Sequence, residues 1–315
     1  MTRLPDLGNS RDREGVSKDE GSVGRFCRRF CRRHCERSEA IQKRPQIYGL
    51  LRRCAPRNDE PRHDRAWRAT PFDARRNQET SLTVLPLQAL FFDVFGTLVD
   101  WRGGIAREAE HLLKPHGIAI DWRAFADAWR GEYQAGMEEV RSGAIPFSRL
   151  DVLHRRNLDR ILPRFGLDTL DEAARAALNL AWHRLDAWSD VPDALTRLRT
   201  RFLIAPVSNG NIALQVDLAR RNGFLWDAIL GAEVAGDYKP KPRVYLASAE
   251  AFGLPPQSCM MVAAHSDDLA AAAAFGLRTA HVARPEEGSA GESAPSVPVD
   301  IAAADLLKLA EALGV

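Results

Sequence analysis

Cysteine is scarce in most of this 315-residue sequence. Cys259 is the single cysteine after residue 86, so the body of the chain has no second thiol with which to form a disulfide, as is typical of cytoplasmic proteins. Long apolar runs are missing too: no stretch approaches the ~18 residues of a membrane span. The first residues, MTRLPDLGNSRDREG, lack the apolar stretch of a secretory signal. We therefore expect a cytoplasmic protein without membrane contact.

Charge is distributed unevenly along the chain. Residues 1–86 contain 20 Lys and Arg against 12 Asp and Glu, whereas residues 87–315 contain 24 against 30. The first segment has few aliphatic residues and no sustained hydrophobic period, so it cannot build a core and is expected to be disordered. Its pieces RHCERSEAIQ and LLRRCAPRND resemble the translation of a dispersed bacterial repeat. We therefore expect the native start to lie downstream, at an alternative codon near Leu82 to Leu87.

The cysteines of this first segment do not predict a metal site. Cys27, Cys31 and Cys35 have His34 nearby, but zinc ligands usually occur as two matching pairs, and Cys54 alone supplies no second pair. We expect no metal and no cofactor. The basic charge leaves open nucleic-acid binding through this arm as an alternative function. The acidic remainder of the chain gives no reason to expect a nucleic-acid partner.

A repeating pattern of short apolar strands and helical segments begins at Leu87. The segments LQALFFD, FLIAPV, CMMVAA and TAHV are predicted strands, with a further short strand near Ile229, and helical segments separate the later ones. This series predicts an α/β fold, a doubly wound, Rossmann-like parallel sheet with helices on both faces. About 85 residues of helical pattern follow the first strand, which is too long for one crossover, so we interpret them as an inserted helical cap.

Three regions follow from these patterns. Residues 1–86 are the basic extension, residues 87–101 and 188–315 are the predicted Rossmann-like core, and residues 102–187 are the predicted cap. In open parallel sheets, ligands bind outside the carboxyl ends of the strands. Polar side chains that directly follow a predicted strand are therefore the candidate site residues.

Asp93 ends the first predicted strand, within FFDVFGTLVDW, where Gly96 permits a tight turn. This segment resembles the first motif of the haloacid dehalogenase superfamily, whose Asp is a covalent nucleophile. Phosphatases of the superfamily have a second Asp two positions later, as acid/base and magnesium ligand, where this chain has Phe95. A phenyl ring cannot transfer a proton, so the leaving group must depart without one, which suits halide better than an alkoxide. Thr97 is expected to hydrogen-bond the nucleophile, although stabilisation of the turn alone would also explain it.

Ser208-Asn209-Gly210 follow the strand FLIAPV and resemble the second motif, most closely that of the L-2-haloacid dehalogenases. By this resemblance Ser208 binds the substrate carboxylate and Asn209 helps to hold the halide. The resemblance also places Arg130, on a predicted cap helix, against the halide and the carboxylate. A guanidinium group suits both anions.

Lys239, in DYKPKPRVY, resembles the lysine of the family's third motif, with Lys241 as the competing residue. A buried cation beside Asp93 would keep the nucleophile ionised. Tyr245 and Phe95 are placed with the substrate- or halide-binding residues.

The last motif region, MVAAHSDDLAAAAAFG, again places polar residues after a strand. The resemblance assigns Asp268 to orient the hydrolytic water and to stabilise the lysine, with Asp267 one residue early. Better-known dehalogenases have Ser and Asn where this chain has Ala263 and His265. His265 is therefore expected either to polarise water or to donate to halide, since imidazole titrates near neutral pH.

Together, the motifs predict a metal-independent hydrolase that converts a small 2-haloacid to a 2-hydroxy acid through an aspartyl ester. Family members are often dimers, so the resemblance also implies a possible homodimer. A magnesium-dependent phosphatase of the same superfamily is the first alternative, favoured by Asp267-Asp268 and opposed by Phe95. Nucleic-acid binding through the basic arm is the second.

Overall fold

A computed structural model of the chain describes residues 85–288 and 291–315. Its centre is one six-stranded sheet in the order β3-β2-β1-β4-β5-β6, with every strand pair parallel. The strands are β1 (Ala89–Phe92), β2 (Leu203–Ser208), β3 (Leu230–Gly231), β4 (Cys259–Ala263), β5 (Arg278–Val282) and β6 (Ile301–Ala303). The predicted doubly wound α/β fold is confirmed. The predicted basic extension lies, apart from residues 85 and 86, outside the described residues.

The helices divide into a group between β1 and β2 and a group that connects the later strands. The first group is α1 (Trp101–Leu113), α2 (Trp122–Gly131), α3 (Tyr133–Arg141), α4 (Leu150–Ile161), α5 (Glu172–Asn179) and α6 (Val191–Arg199). The second group is α7 (Ile212–Asn222), α8 (Ala232–Ala235), α9 (Pro242–Ala251), α10 (Ser266–Ala274) and α11 (Leu306–Ala312). Within the described residues, none of these helices has the length and apolar character that crossing a membrane requires.

The central strand β1 is buried along its whole length. Its residue Phe92 pairs with Pro206 of β2 on one side and with Val262 of β4 on the other. The carboxyl ends of these three strands therefore lie at the same level of the sheet. Whatever follows each of them emerges at one edge, which is where the candidate residues stand.

Two of the elements that differ from the prediction concern the site and the sheet edge. The helical pattern over residues 121–141 predicts one helix, but the structure has two, because the chain leaves α2 at Glu132 and begins α3 at Tyr133. The strand β6 was not predicted: its three residues are partly exposed and, among the described strands, they pair only with β5. A short edge strand with one neighbour needs no apolar run, so it lacks the pattern that marks the buried strands.

Aromatic rings fill the space between the first group of helices and the turn after β1. The buried Phe95 ring packs edge-on against Trp182 at 5.6 Å between centroids, and Trp182 in turn lies edge-on to Trp129 at 5.6 Å. His154 stacks on Trp182 at 4.1 Å. Such contacts add to the burial of apolar area. The helices between β1 and β2 are thereby packed directly over the end of the central strand.

A buried histidine joins these helices to α7. The ring of His183, in a 3₁₀ turn after α5, lies with Nδ1 2.8 Å from Asp217 Oδ2 and with Nε2 3.1 Å from Asp151 Oδ1. Asn211 donates from Nδ2 to the second oxygen of Asp151 at 2.8 Å. Burial opposes protonation, but hydrogen bonds to Asp151 and Asp217 outweigh it and raise the pKa of His183. The charged imidazolium is thus the form that the two carboxylates favour.

Because the folded pKa of His183 lies above its unfolded value of about 6.5, its contribution to stability is complete below that value. It is lost as the pH rises through the folded pKa. We predict that His183→Gln lowers the free energy of unfolding by about 1 kcal/mol at pH 5.5 and by much less at pH 9. Urea unfolding at both pH values measures this, with the exposed His116→Gln as control. Equal losses at both pH values would contradict the ion-pair explanation.

Candidate active site

The carboxyl edge of the sheet gathers charged side chains from three segments. Asp93 follows β1 and is held by a hydrogen bond from its N–H to the Val262 carbonyl of β4, at 3.0 Å. Asp268 lies in the first turn of α10, directly after β4. Lys239 comes from the loop between α8 and α9. The three side chains are buried, with at most 11 % of any of them exposed, and they meet as one cluster.

The Asp93 carboxylate accepts hydrogen bonds at both oxygens. Thr97 donates its hydroxyl to Oδ2 at 2.9 Å, and Lys239 donates from Nζ to Oδ1 at 2.8 Å. The Ala264 N–H donates to the Thr97 oxygen at 2.9 Å, which leaves the Thr97 hydroxyl hydrogen for Asp93. Gly96 has φ +87°, a backbone conformation that favours glycine, and it lets the chain turn back between Asp93 and Thr97.

Lys239 bridges two carboxylates. Its Nζ lies 2.8 Å from Asp93 Oδ1 and 2.5 Å from Asp268 Oδ2, while Tyr245 donates its hydroxyl to Asp268 Oδ1 at 2.6 Å. Burial works against the charged lysine, but the charges of Asp268 and Asp93 outweigh burial and raise its pKa. The competing Lys241 lines the same cavity but has no carboxylate partner among the described residues. Lys239 is the lysine that reaches Asp93.

The pKa values of Asp93 and Asp268 shift in opposite directions in this environment. Burial alone would raise the pKa of Asp93, but the Lys239 charge and contacts with His265 hold it far below its usual range. Burial and the neighbouring Asp93 charge raise the pKa of Asp268, against the opposing effect of Lys239. When two carboxylates share a site, one of them is favoured as the anion. Asp93 is therefore the carboxylate of the pair that stays ionised to lower pH, and a carboxylate nucleophile has to be ionised.

His265 lies on the other side of Asp93. Its Nδ1 is 3.5 Å from Asp93 Oδ2, and its Nε2 is 3.0 Å from Oε1 of Glu287. Burial would lower the pKa of His265, but hydrogen bonds to Asp93 and Glu287, together with their charges, raise it to about 10. Glu287 was not among the predicted site residues. It lies in the segment ARPEEG, five residues after the end of β5, so the rule that polar residues directly after a strand are candidates does not reach it.

A cavity of about 880 Å³ opens beside this cluster. Asp93, Lys239 and His265 line one side, and Phe95, Arg130 and Asn209 line the remainder with neighbouring residues. The guanidinium carbon of Arg130 lies 3.9 Å from the centre of the Tyr133 ring, a cation–π contact. Its NH1 is buried and makes no hydrogen bond within the described part of the chain. This donor suits an anionic ligand in the cavity.

Asn209 lines the cavity, whereas the neighbouring Ser208 does not. Asn209 Oδ1 accepts from the Lys239 N–H at 2.9 Å, so the amide Nδ2 is the end left to donate to a ligand. Ser208 is fully buried, accepts from the Gly210 N–H at 3.1 Å and does not line the cavity. Its predicted contact with a substrate carboxylate stays a prediction.

Of the other predicted residues, Tyr245 lines the cavity and donates to Asp268. Asp267 also lines it, where its Oδ1 accepts from the Asp268 N–H. In residues 85–288 and 291–315, no three His, Cys, Asp or Glu side chains are grouped as they would be to hold a metal ion. The site is thus a hydrogen-bonded network around Asp93, bordered by a guanidinium, an amide and a phenyl ring.

Comparison with known proteins agrees with this geometry. A family model described as haloacid dehalogenase-like hydrolase matches residues 87–276, so the chain belongs to that family. Within it, the chain resembles the L-2-haloacid dehalogenases. It is 42 % identical to a defluorinating L-2-haloacid dehalogenase of known crystal structure, with a TM-score of 0.71 over 73 % of this chain and 96 % of that one.

Two curated relatives are more distant. The haloacetate dehalogenase H-2 of Moraxella sp. (strain B) is 27 % identical over 63 % of this chain and 86 % of its own length. The (S)-2-haloacid dehalogenase 4A of Burkholderia cepacia is 27 % identical over 66 % and 88 %. The resemblance inferred from the motifs is therefore confirmed at the level of the family branch.

Removing the shared cation tests the electrostatics of the site. We predict that Lys239→Met lowers the free energy of unfolding by about 3 kcal/mol at pH 8, because it leaves two buried carboxylates without their partner. The loss is smaller at pH 5, because the pKa of a buried carboxyl without this cation rises and protonation then relieves the repulsion. Urea unfolding at both pH values measures the effect. Lys241→Met is the matched control, and an equal loss in that variant would refute the assignment to Lys239.

Proposed function

We propose that this protein is a hydrolytic dehalogenase, of the (S)-2-haloacid dehalogenase type, that converts a small 2-haloacid to a 2-hydroxy acid. The observation that carries the proposal is the buried, anionic Asp93, held by Lys239 and Thr97 at the wall of a cavity that also contains Arg130. Phe95 occupies the position of the second carboxylate in the phosphatases, so a leaving group that needs no proton fits the site. The names of the similar proteins support the same reaction.

In this proposal the substrate is held by its two ends. Arg130 and Asn209, which line the cavity, bind the carboxylate and the halide, and Phe95 forms the apolar wall against the carbon chain. The contact of Ser208 with the carboxylate, predicted from the sequence, requires its side chain to turn into the cavity. Arg130 offers a planar donor to either anion, and Asn209 offers its amide Nδ2. Asp93 then attacks C2 from the side opposite the halogen. Halide leaves as the anion, and an ester links the Asp93 carboxyl to the substrate.

Hydrolysis of that ester completes the reaction. Water positioned by Asp268, with Lys239 and His265, attacks the carboxyl carbon of Asp93 and releases the 2-hydroxy acid. A single displacement at C2 inverts its configuration, because the second step breaks the bond between the carboxyl carbon and the ester oxygen. Lys239 stabilises the charge that develops on the Asp93 carboxyl, since its Nζ already lies at hydrogen-bond distance.

The remaining predictions belong to this proposal. We place the cap at residues 102–187 and the core at residues 87–101 and 188–315, and we assign the protein to the cytoplasm, as a possible homodimer.

The phosphatase alternative has the Asp267-Asp268 pair in its favour but lacks an acid/base at Phe95. The nucleic-acid alternative concerns the basic arm and is tested by removing residues 1–80: loss of all tight, salt-sensitive nucleic-acid binding with unchanged turnover would separate the arm from the enzyme.

The reaction is tested by halide release. We predict chloride release from 2-chloropropionate or chloroacetate in the presence of a chelator, and a loss of at least about 10³-fold in Asp93→Asn, because an amide is a poor nucleophile. Ion chromatography of the halide measures both. Phosphate release from a phosphate ester that requires magnesium, without halide release, would establish the phosphatase instead.

The role of Arg130 is tested by keeping its charge and removing its planar shape. We predict that Arg130→Lys lowers kcat/KM for 2-chloropropionate about 10- to 100-fold, mainly through KM, because an ammonium group cannot bind a carboxylate in two parallel hydrogen bonds. Arg123→Lys, on the exposed side of the same helix, is the matched control. If both variants match the wild type, Arg130 does not bind the substrate.

A further inference from the structure

Glu287 is a buried carboxylate at the edge of the candidate active site. Its side chain is 1 % exposed, although it lies in a loop after β5. Trp101 donates from Nε1 to its Oε1 at 2.8 Å. The carboxylate occupies space that Gly96 leaves open, because a Cβ on Gly96 would lie 2.0 Å from Oε1. The turn after β1 and the start of α1 therefore both pack against this one acid.

The counter-charge of Glu287 is His265. The imidazole Nε2 lies 3.0 Å from Oε1 and 2.9 Å from Oε2, and no Lys or Arg pairs with Glu287 in the described parts of the chain. Burying a carboxylate without a partner is costly, and the ion pair with His265 offsets that cost for Glu287. Because Nε2 faces Glu287, the other ring nitrogen is turned toward the nucleophile. Nδ1 lies 3.5 Å from Asp93 Oδ2.

The arrangement is that of a histidine oriented by a buried acid. In such pairs the acid fixes which ring nitrogen carries a proton and stabilises the imidazolium form, while the opposite nitrogen exchanges a proton with the reacting group. Asp268 is less suited to that exchange, because its two oxygens already accept from Lys239 and Tyr245. It can orient water without taking its proton.

We propose that His265 accepts the proton of the water that hydrolyses the Asp93 ester, and that Glu287 is the positioning residue that aims it. This inference rests on the proposed dehalogenase function and assigns the proton transfer within its second step. His265 is the catalytic residue, since it contacts the reacting groups. Glu287 acts through it.

Each proton of this hydrolysis step has a donor and an acceptor among the groups described. In the free enzyme His265 is an imidazolium between two anions, in agreement with its raised pKa. Ester formation removes the Asp93 anion and releases halide, and the Nδ1 proton then leaves to solvent. Water gives one proton to Nδ1 as its oxygen bonds to the Asp93 carboxyl carbon. The second proton passes to the departing alkoxide, which becomes the product hydroxyl, and Asp93 returns as carboxylate beside imidazolium.

Several other charged groups face this histidine. Lys239 lies behind Asp93, Asp267 and Asp268 begin α10, and His281 lies on β5. Lys239 and the two α10 carboxylates are chemically the same in the free enzyme and in the ester. The charge that changes between those states is that of Asp93. The remaining anion that holds the His265 proton in the ester is Glu287.

The test is the variant Glu287→Gln, which keeps the size and the hydrogen bond from Trp101 but removes the charge. We expect one equivalent of halide to be released rapidly per enzyme, followed by slow turnover, with kcat lowered about 10- to 100-fold. The ester should accumulate as added mass on the protein. Without the Glu287 anion the His265 proton is held less tightly, so the rise of kcat with pH should move about one unit or more to lower pH.

The matched control is Glu286→Gln, an equal charge change at the exposed neighbouring residue, which should behave like the wild type. Rapid-quench halide release, intact-protein mass and the pH profile of kcat are measured for each variant. His265→Gln should also accumulate ester, and the double variant should be no slower than the slower single one. If Glu287→Gln does not fold, His265→Gln provides the test.

The outcomes separate the two proposals. Ester hydrolysis in Glu287→Gln at the wild-type rate, with the same pH profile, overturns the role of Glu287. If Glu287→Gln does not fold, ester hydrolysis in His265→Gln at the wild-type rate overturns the role of His265 and that of Glu287 with it. Halide release that is slowed equally in its first turnover and later ones also overturns the inference, because the effect would then precede the ester. No halide from the wild type overturns the dehalogenase function itself, and this inference with it.

Discussion

The site depends on one ammonium group held between two buried carboxylates. Without the Lys239 charge, Asp93 and Asp268 would repel each other in a region shielded from water, and one of them would take up a proton. With it, Asp93 stays ionised and can act as a nucleophile. Other contacts serve to keep this arrangement in place: Asn209 fixes the backbone at Lys239, and Tyr245 fixes the second carboxylate.

The parallel sheet brings the partners of this ion pair together. Three neighbouring strands end at one level, so short loops are enough to bring their side chains within hydrogen-bond distance. The helices between β1 and β2 contribute the opposite wall, where Arg130 rests on an aromatic ring and Phe95 packs among aromatic side chains. The edge of the sheet thus holds the charged cluster, while a wall of aromatic side chains and Arg130 faces it across the cavity.

Two features separate this chain from the general pattern of its superfamily. Phe95 removes the acid that a phosphatase uses, which narrows the chemistry to leaving groups that depart as stable anions. His265 replaces an amide and introduces a group that titrates, and the structure supplies it with the buried partner Glu287. The free enzyme therefore alternates negative and positive groups from Asp268 through Lys239 and Asp93 to His265 and Glu287.

The sequence by itself determined the βαβ order, the inserted helices and the strand-end positions of Asp93 and Asp268, because apolar runs and turn residues are local signals. It did not reveal β6, which has one neighbour among the described strands and no apolar run, and it favoured Lys239 over Lys241 through the motif resemblance alone. Only the tertiary structure showed Lys239 beside Asp93, showed that Ser208 does not line the cavity and brought Glu287 to His265. These are contacts between segments far apart in the chain, and no local pattern encodes the distance between them.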